Sequence, residues 1–175
     1  MNTILVLTVI GDDRPGLVES LSQAIAAQGG SWLESRMAHL AGKFAGILRA
    51  SVPAANAEAL TGALLALQAS GLRVVVEHGD NASERQTTRR LKLELMGDDH
   101  PGIVRDISRA LAERGINVEE LHTGLISAPM SGDLLFKATA LLTAPASLPL
   151  EELREKLEEL ASDLVVDVTL AEHES

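Results

Sequence analysis

The chain has 175 residues, 46% of them hydrophobic, with Trp32, Phe44 and Phe136 its only aromatics, no cysteine and a formal net charge of −10. That length holds one ordinary domain or two small ones, with enough Leu, Val, Ile and Ala for a core. The composition excludes disulfides, thiolate metal sites and Cys nucleophiles. An acidic chain this poor in aromatics also lacks a basic track for phosphates and stacking faces for bases, which argues against direct nucleic-acid binding.

Ile4 to Ile10 is a continuous apolar, β-favouring run and reads as a strand. Both of its faces are apolar, which predicts that the second face is covered as well as the first. The run stops at Gly11-Asp12-Asp13 and no basic segment precedes it, so it does not read as a signal peptide. No apolar stretch approaches the roughly 20 residues of a membrane helix, and a cytoplasmic protein is expected. A helix follows the turn, with Leu17, Val18, Leu21 and Ile25 on one face, and Gly29 ends it. Ser31 to Leu40 and Lys43 to Val52 read as a hairpin joined by Ala41-Gly42. A second helix is expected over Asn56 to Ala69 and a closing strand over Leu72 to Glu77.

The sequence then repeats. Residues 11–36 (GDDRPGLVESLSQAIAAQGGSWLESR) align without a gap to residues 97–122 (GDDHPGIVRDISRALAERGINVEELH), with eleven of 26 positions identical. An offset near half the chain means a duplicated domain. The second copy predicts a strand at Leu91 to Met96, a helix with Ile103, Val104, Ile107 and Leu111 on one face ending at Gly115, and strands at Ile116 to Ser127 and Asp133 to Thr143. A helix over Pro149 to Ala161 and a strand over Leu164 to Leu170 complete it. The order is βαββαβ twice, which predicts an α+β protein of two tandem ferredoxin-like domains, each an antiparallel sheet with both helices on one face. The polar stretch Gly79 to Thr88 separates them, giving domains 1–79 and 90–175 with a linker at 80–89.

The repeated turn carries the candidate chemistry. Pro15 and Pro101 suit the first turn of a helix, and Asp13 and Asp99 are placed to cap it. Unpaired first-turn N–H groups can hold a carboxylate, Gly16 and Gly102 let a ligand approach the backbone, and Asp12, Asp13, Asp98 or Asp99 can hold an ammonium group. Together these groups suit an amino acid. The plainer alternative is that the Asp residues only cap and the Pro-Gly pair only turns. His100 replaces Arg14 at the turn and can titrate near neutral pH, or serve no function there. No metal-ligand spacing, phosphate loop or nucleophile–base motif occurs, so no catalytic residue, metal or cofactor is expected.

With Gly-x-Asp-x-Pro-Gly between first strand and first helix in both copies, and Gly115-Ile116-Asn117-Val118 opening a strand in the second, each half resembles the ACT domain family. The first copy departs from that pattern at Gly30-Ser31-Trp32-Leu33-Glu34-Ser35-Arg36-Met37. Two such domains with no catalytic domain attached, and this stretch in the first, resemble the glycine cleavage system transcriptional repressor family over about residues 3–172. The resemblance implies a regulator without its own DNA-binding domain, which acts through a partner DNA-binding protein and is modulated by glycine or another small amino acid. It implies ligand sites near a domain interface, with Asn117 as a second wall. Exposed sheet edges in such domains favour edge-to-edge pairing, so pairing of the two copies and a homodimer are expected. The ligand-binding expectation therefore comprises Asp12, Asp13, Arg14, Pro15, Gly16 and Leu17, their counterparts Asp98, Asp99, His100, Pro101, Gly102 and Ile103, and Asn117. The alternative function is a protein-interaction module with no small-molecule effector.

Overall fold

A computed structural model describes residues 1–79, 88–128 and 133–172. The chain forms two compact units, Met1–Ser83 and Glu84–Ser175. The first contains β1 (Asn2–Asp12), α1 (Leu17–Ala27), β2 (Ser31–Leu40), β3 (Lys43–Pro53), α2 (Ala57–Ala66) and β4 (Leu72–His78). The second contains β5 (Thr88–Asp98), α3 (Ile103–Ala112), β6 (Asn117–Ser127), β7 (Leu134–Pro145), α4 (Leu150–Leu164) and β8 (Val166–Glu172). The sheets run β2-β3-β1-β4 and β6-β7-β5-β8, every neighbouring pair antiparallel. The fold is α+β, two ferredoxin-like units.

Strand alternation builds each core. Leu5, Leu7 and Val9 of β1 point inward and are buried with Leu17, Leu21 and Ile25 of α1 and Leu60 and Leu64 of α2. Leu91, Leu93 and Leu95 of β5 meet Ile103, Ile107 and Leu111 of α3 and Leu153 and Leu157 of α4 in the same way. Each fully buried Leu or Ile contributes roughly 1.5–3 kcal/mol relative to exposure, so the core needs no large aromatic payload.

The helix starts differ from expectation. Both helices begin one residue after a left-handed glycine, Gly16 at φ 91° and Gly102 at φ 96°, and neither has a side-chain cap. Pro15 and Pro101 therefore lie before the helix rather than in its first turn, and Asp13 and Asp99 do not cap it. The physical reason is the glycine: at φ above zero it turns the chain within one residue, which leaves the preceding Asp outside capping position. The helix ends agree with expectation. Gly29 N–H donates to the Ala26 carbonyl and Gly30 N–H to that of Ile25, the paired bonds of a Schellman motif; Gly115 and Ile116 repeat them on Ala112 and Leu111.

Other boundaries shift for local reasons. The helix expected to Ala69 tightens into a 3-10 turn over Leu67–Ser70 before Gly71. Leu164, expected in the last strand, closes α4 because the three-and-four spacing of Leu153, Leu157 and Leu160 runs on to it. Thr88 and Arg89, expected in the linker, belong to β5; residues 80–87, and most of the long connection at 128–132, lie outside the described residues. The expected cover of the outer face of β1 is not provided by the first unit's own elements. Ile10, Ile47 and Val75 on that face are 38%, 56% and 51% exposed. The second sheet presents Met96, Thr139 and Thr169 at the corresponding positions, around Glu94.

Candidate functional site

The two strand–turn–helix junctions share a backbone and differ in how their side chains are held. In the first, Asp12 ends β1 opposite Lys43 and forms an ion pair with its Nζ. The hydrogen bond from Lys43 and its charge hold the Asp12 carboxyl below its ordinary value. Asp13 Oδ2 lies 3.6 Å from His39 Nε2, and its N–H donates to the Gly42 carbonyl at 2.9 Å. The Arg14 guanidinium donates to the Ser70 carbonyl, fastening the turn to the end of the segment before β4. Both carboxylates and the cation of this turn are therefore engaged within the unit.

The second junction lacks those partners. Asp98 stands opposite Leu135, where the first unit has Lys43. The residue opposite Phe136 is Leu125, whereas its counterpart opposite Phe44 is His39. Neither Asp98 nor Asp99 has an ion pair among the described residues. His100, in the place of Arg14, has a buried Nε2 with no hydrogen-bond partner among the described residues; its Nδ1 lies 3.4 Å from the Pro101 carbonyl. A buried polar atom without a partner costs free energy unless something supplies one.

Position 105 adds a difference that the turn motif does not contain. The first turn of α1 carries Glu19, while the first turn of α3 carries Arg105 in the aligned place. The guanidinium lies so close to Gly102 that a Cβ there would meet it at 2.8 Å. Arg105 also holds Asp106 with two bonds, at 2.8 and 3.2 Å. The uncapped N–H groups of α3 and this cation favour an anion, whereas Glu19 opposes one at α1. The gap-free alignment around the turns was the available signal for Arg105, which lies just beyond the repeated Pro-Gly.

The structure brings Asp98, Asp99, His100, Pro101, Gly102 and Ile103 together at one end of the second sheet, and Asp12, Asp13, Arg14, Pro15, Gly16 and Leu17 at the matching end of the first. It does not bring Asn117 to them. Asn117 pairs with Thr143, which pairs with Arg90, so it lies eight strand residues from Asp98, on the order of 26 Å along the sheet. Within one unit it forms no wall of the turn.

The remaining candidates are accounted for locally. Arg89, Arg90 and Lys92 lie near Glu172, Glu119 and Glu94 at 3.3, 3.7 and 2.6 Å, so acidic neighbours largely offset these three cations; Arg85 and His173 lie outside the described residues. Trp32 is half-buried and packs on the first core. Glu34 and Glu120 follow matching bulges in β2 and β6, but Glu34 binds Arg36 and Arg49 while Glu120 lies 3.6 Å from His122. Among the described residues, no group of three or more His, Asp or Glu side chains is placed to hold a metal ion, and no helix is long and apolar enough to cross a membrane.

A duplicated βαββαβ unit with a glycine-hinged turn feeding each first helix defines a tandem ferredoxin-like protein. The model of the ACT domain matches residues 3–77 and again 89–170, and the chain belongs to that family. It is 34% identical over 85 residues to a UPF0237 protein of Methanopyrus kandleri, a span covering 49% of this chain and 88% of that one. A crystal structure of an unknown protein from Galdieria sulphuraria superposes with TM-score 0.88 at 30% identity, over 99% of this chain and all of the other. A crystal structure described as a "putative glycine cleavage system transcriptional repressor" superposes with TM-score 0.72 at 20% identity, over 100% and 99% of the two chains. At that identity the last likeness speaks for the shared tandem fold.

Proposed function

We propose that this chain is a non-catalytic, cytoplasmic regulator of the glycine cleavage system type. It senses glycine or another small amino acid and acts as a homodimer on a partner DNA-binding regulator, with no direct contact to nucleic acid. The observation that carries the sensing role is the divergence of the two turns. In the second, the uncapped start of α3 and Arg105 suit a carboxylate, while Asp98 and Asp99, without ion pairs among the described residues, suit an ammonium group. In the first, Asp12, Asp13 and Arg14 are already engaged by Lys43, His39 and the Ser70 carbonyl, so Pro15, Gly16 and Leu17 form a structural junction. On this reading Asn117 joins a site only across an interface with another unit. The ligand switches the protein only if it binds one assembly state better than another.

Isothermal titration calorimetry with glycine, then with other small amino acids, tests this. Saturable heat lost in Asp99→Ala and Gly102→Val, and kept in Asp13→Ala, supports a sensor at the second turn. No heat at millimolar ligand, with an unchanged Tm, favours the second reading, a protein-interaction module without an effector. That reading has its own support in the open apolar face formed by Ile10, Ile47 and Val75.

A further inference from the structure

The edge strand β4 of the first sheet is complementary to itself. Gly79 N–H donates to the Ile4 carbonyl at 2.9 Å, one residue beyond the last pair of β1 with β4. Bonded pairs alternate along an antiparallel ladder. Arg73, Val75 and Glu77 therefore direct their backbone groups to β1, while Leu72, Val74, Val76 and His78 turn theirs to the free edge. Val74 and Val76 lie on the core side, whereas Val75 is on the outer face and 51% exposed. Arg73 and Glu77 flank Val75 on that face, and neither has an ion pair among the described residues. A second β4 laid antiparallel about Val75 brings Val74 opposite Val76, Leu72 opposite His78 and Arg73 opposite Glu77, each twice by symmetry. The residues that face the edge then meet one another, so the backbone donors and acceptors match.

The other edges lack these features. β2 and β6 each carry a bulge, a device that turns an edge away from pairing. The charges of β8 are both acidic, Asp167 and Glu172. Arg154 of α4 also donates to the Leu170 carbonyl at 3.3 Å, and Leu170 stands opposite Leu93 as Val76 stands opposite Leu7. The helices beside these edges differ in the same sense. Leu60 and Leu64 correspond to Leu153 and Leu157, all four buried, so Thr61 and Leu65 take the places of Arg154 and Glu158. Arg154 and Glu158 line the hollow along β8, whereas Thr61 lines the one beside His78 of β4. Leu65, one turn further along α2, is 50% exposed. Glu58 is the one charged residue of α2, and a helix so nearly apolar all round calls for a further partner.

We propose that a second copy of this chain occupies the β4 edge. The two β4 strands pair antiparallel about Val75, which joins two first sheets and brings the Leu65 sides of the two α2 helices toward each other. The proposal rests on the homodimer of the reading above and not on its amino-acid sensing.

The chain has no cysteine, so Val75→Cys introduces a single thiol. Across the two-fold axis the two copies of this residue form a non-bonded pair with Cα atoms about 4.5 Å apart, within the range that a disulfide spans. Mild oxidation of the intact variant is expected to give a covalent dimer, whereas Ile47→Cys and Thr169→Cys are expected to remain uncoupled. Sedimentation of the parent is expected to show a dimer. Its dissociation constant is expected to rise about tenfold in Arg73→Glu, because two attractive cross-strand pairs become repulsive. Arg73→Glu combined with Glu77→Arg restores opposite charges in exchanged places and is expected to return to the parent value. A dimer that Arg73→Glu does not weaken, that the double reversal does not restore, or that couples through Ile47→Cys or Thr169→Cys instead would overturn the β4 edge and leave the homodimer standing. A monomeric parent would overturn both.

Discussion

Val165 in the second unit occupies the place of Gly71 in the first. Each is the residue before the last strand, since Leu72 pairs with Gly11 and Val166 with Gly97, and both are left-handed, Gly71 at φ 83° and Val165 at φ 55°. Glycine adopts that conformation without steric cost, whereas a β-branched side chain is strained there. Val165 is 72% exposed, so its side chain contributes little packing to offset the strain. Val165→Gly is expected to stabilise the second unit by about 1 kcal/mol, read as a higher midpoint in urea unfolding. An unchanged or lower midpoint would show that the strain is relieved in solution.

Gly97 is required by space rather than by conformation. A Cβ there would lie 2.5 Å from a Val166 side-chain carbon and 2.6 Å from its Cα, and the second contact involves backbone that cannot swing aside. Gly97→Ala is expected to cost about 1–3 kcal/mol through forced separation of β5 and β8. Gly16 presents the opposite case, with open space around a Cβ but φ at 91°. Gly16→Ala is expected to cost about 1 kcal/mol, from backbone strain alone. Urea midpoints of the two variants, measured side by side, check the order.

The Asp12–Lys43 pair makes the first turn sensitive to acid. The folded Asp12 carboxyl is held below its ordinary value of 3.8 by the hydrogen bond and charge of Lys43. Because the folded value is the lower one, the pair's contribution is complete above the unfolded value and is lost as pH falls through the folded one. The effect is small at so exposed a site and weakens with salt. Carboxyl NMR titration is expected to find Asp12 below the ordinary value in the parent and close to it in Lys43→Ala. Equal values in the two proteins would show that the pair does not persist in solution.

Much of the fold was legible because its signals are local or repeated. The 86-residue offset exposed the duplication, three-and-four spacing placed Leu17, Leu21 and Ile25 on the inner face of α1, and Ala41-Gly42 marked a two-residue hairpin that the structure closes with both residues at positive φ. The helix starts were misread because Pro followed by Gly fits either a first helical turn or a turn before it, and only the left-handed conformation of Gly16 and Gly102 decides. The partners of the turn carboxylates were hidden for another reason. Lys43 and His39 reach Asp12 and Asp13 across the sheet, so their replacement by Leu135 and Leu125 has meaning only once the register is known. Asn117 was grouped with the turn by resemblance, whereas the antiparallel path through β7 places it at the far end of the same sheet.

Reciprocal exchange of Glu19 and Arg105 tests the asymmetry of the turns most directly. If a ligand carboxylate rests on the start of α3 beside Arg105, Arg105→Glu places a like charge within its reach and also breaks the Asp106 pair. Amino-acid binding is then expected to weaken by about tenfold or more, since a charge-assisted hydrogen bond contributes roughly 1.5–3 kcal/mol. Arg105→Gln, which keeps a donor without the charge, is expected to fall between the parent and Arg105→Glu. Glu19→Arg is expected to leave the affinity unchanged, because Asp12 and Asp13 remain occupied by Lys43 and His39. Calorimetric dissociation constants for the three variants decide the matter, with circular dichroism confirming the fold of each. Equal weakening by Glu19→Arg would assign the ligand to both turns, and no change in Arg105→Glu would remove the guanidinium from the site.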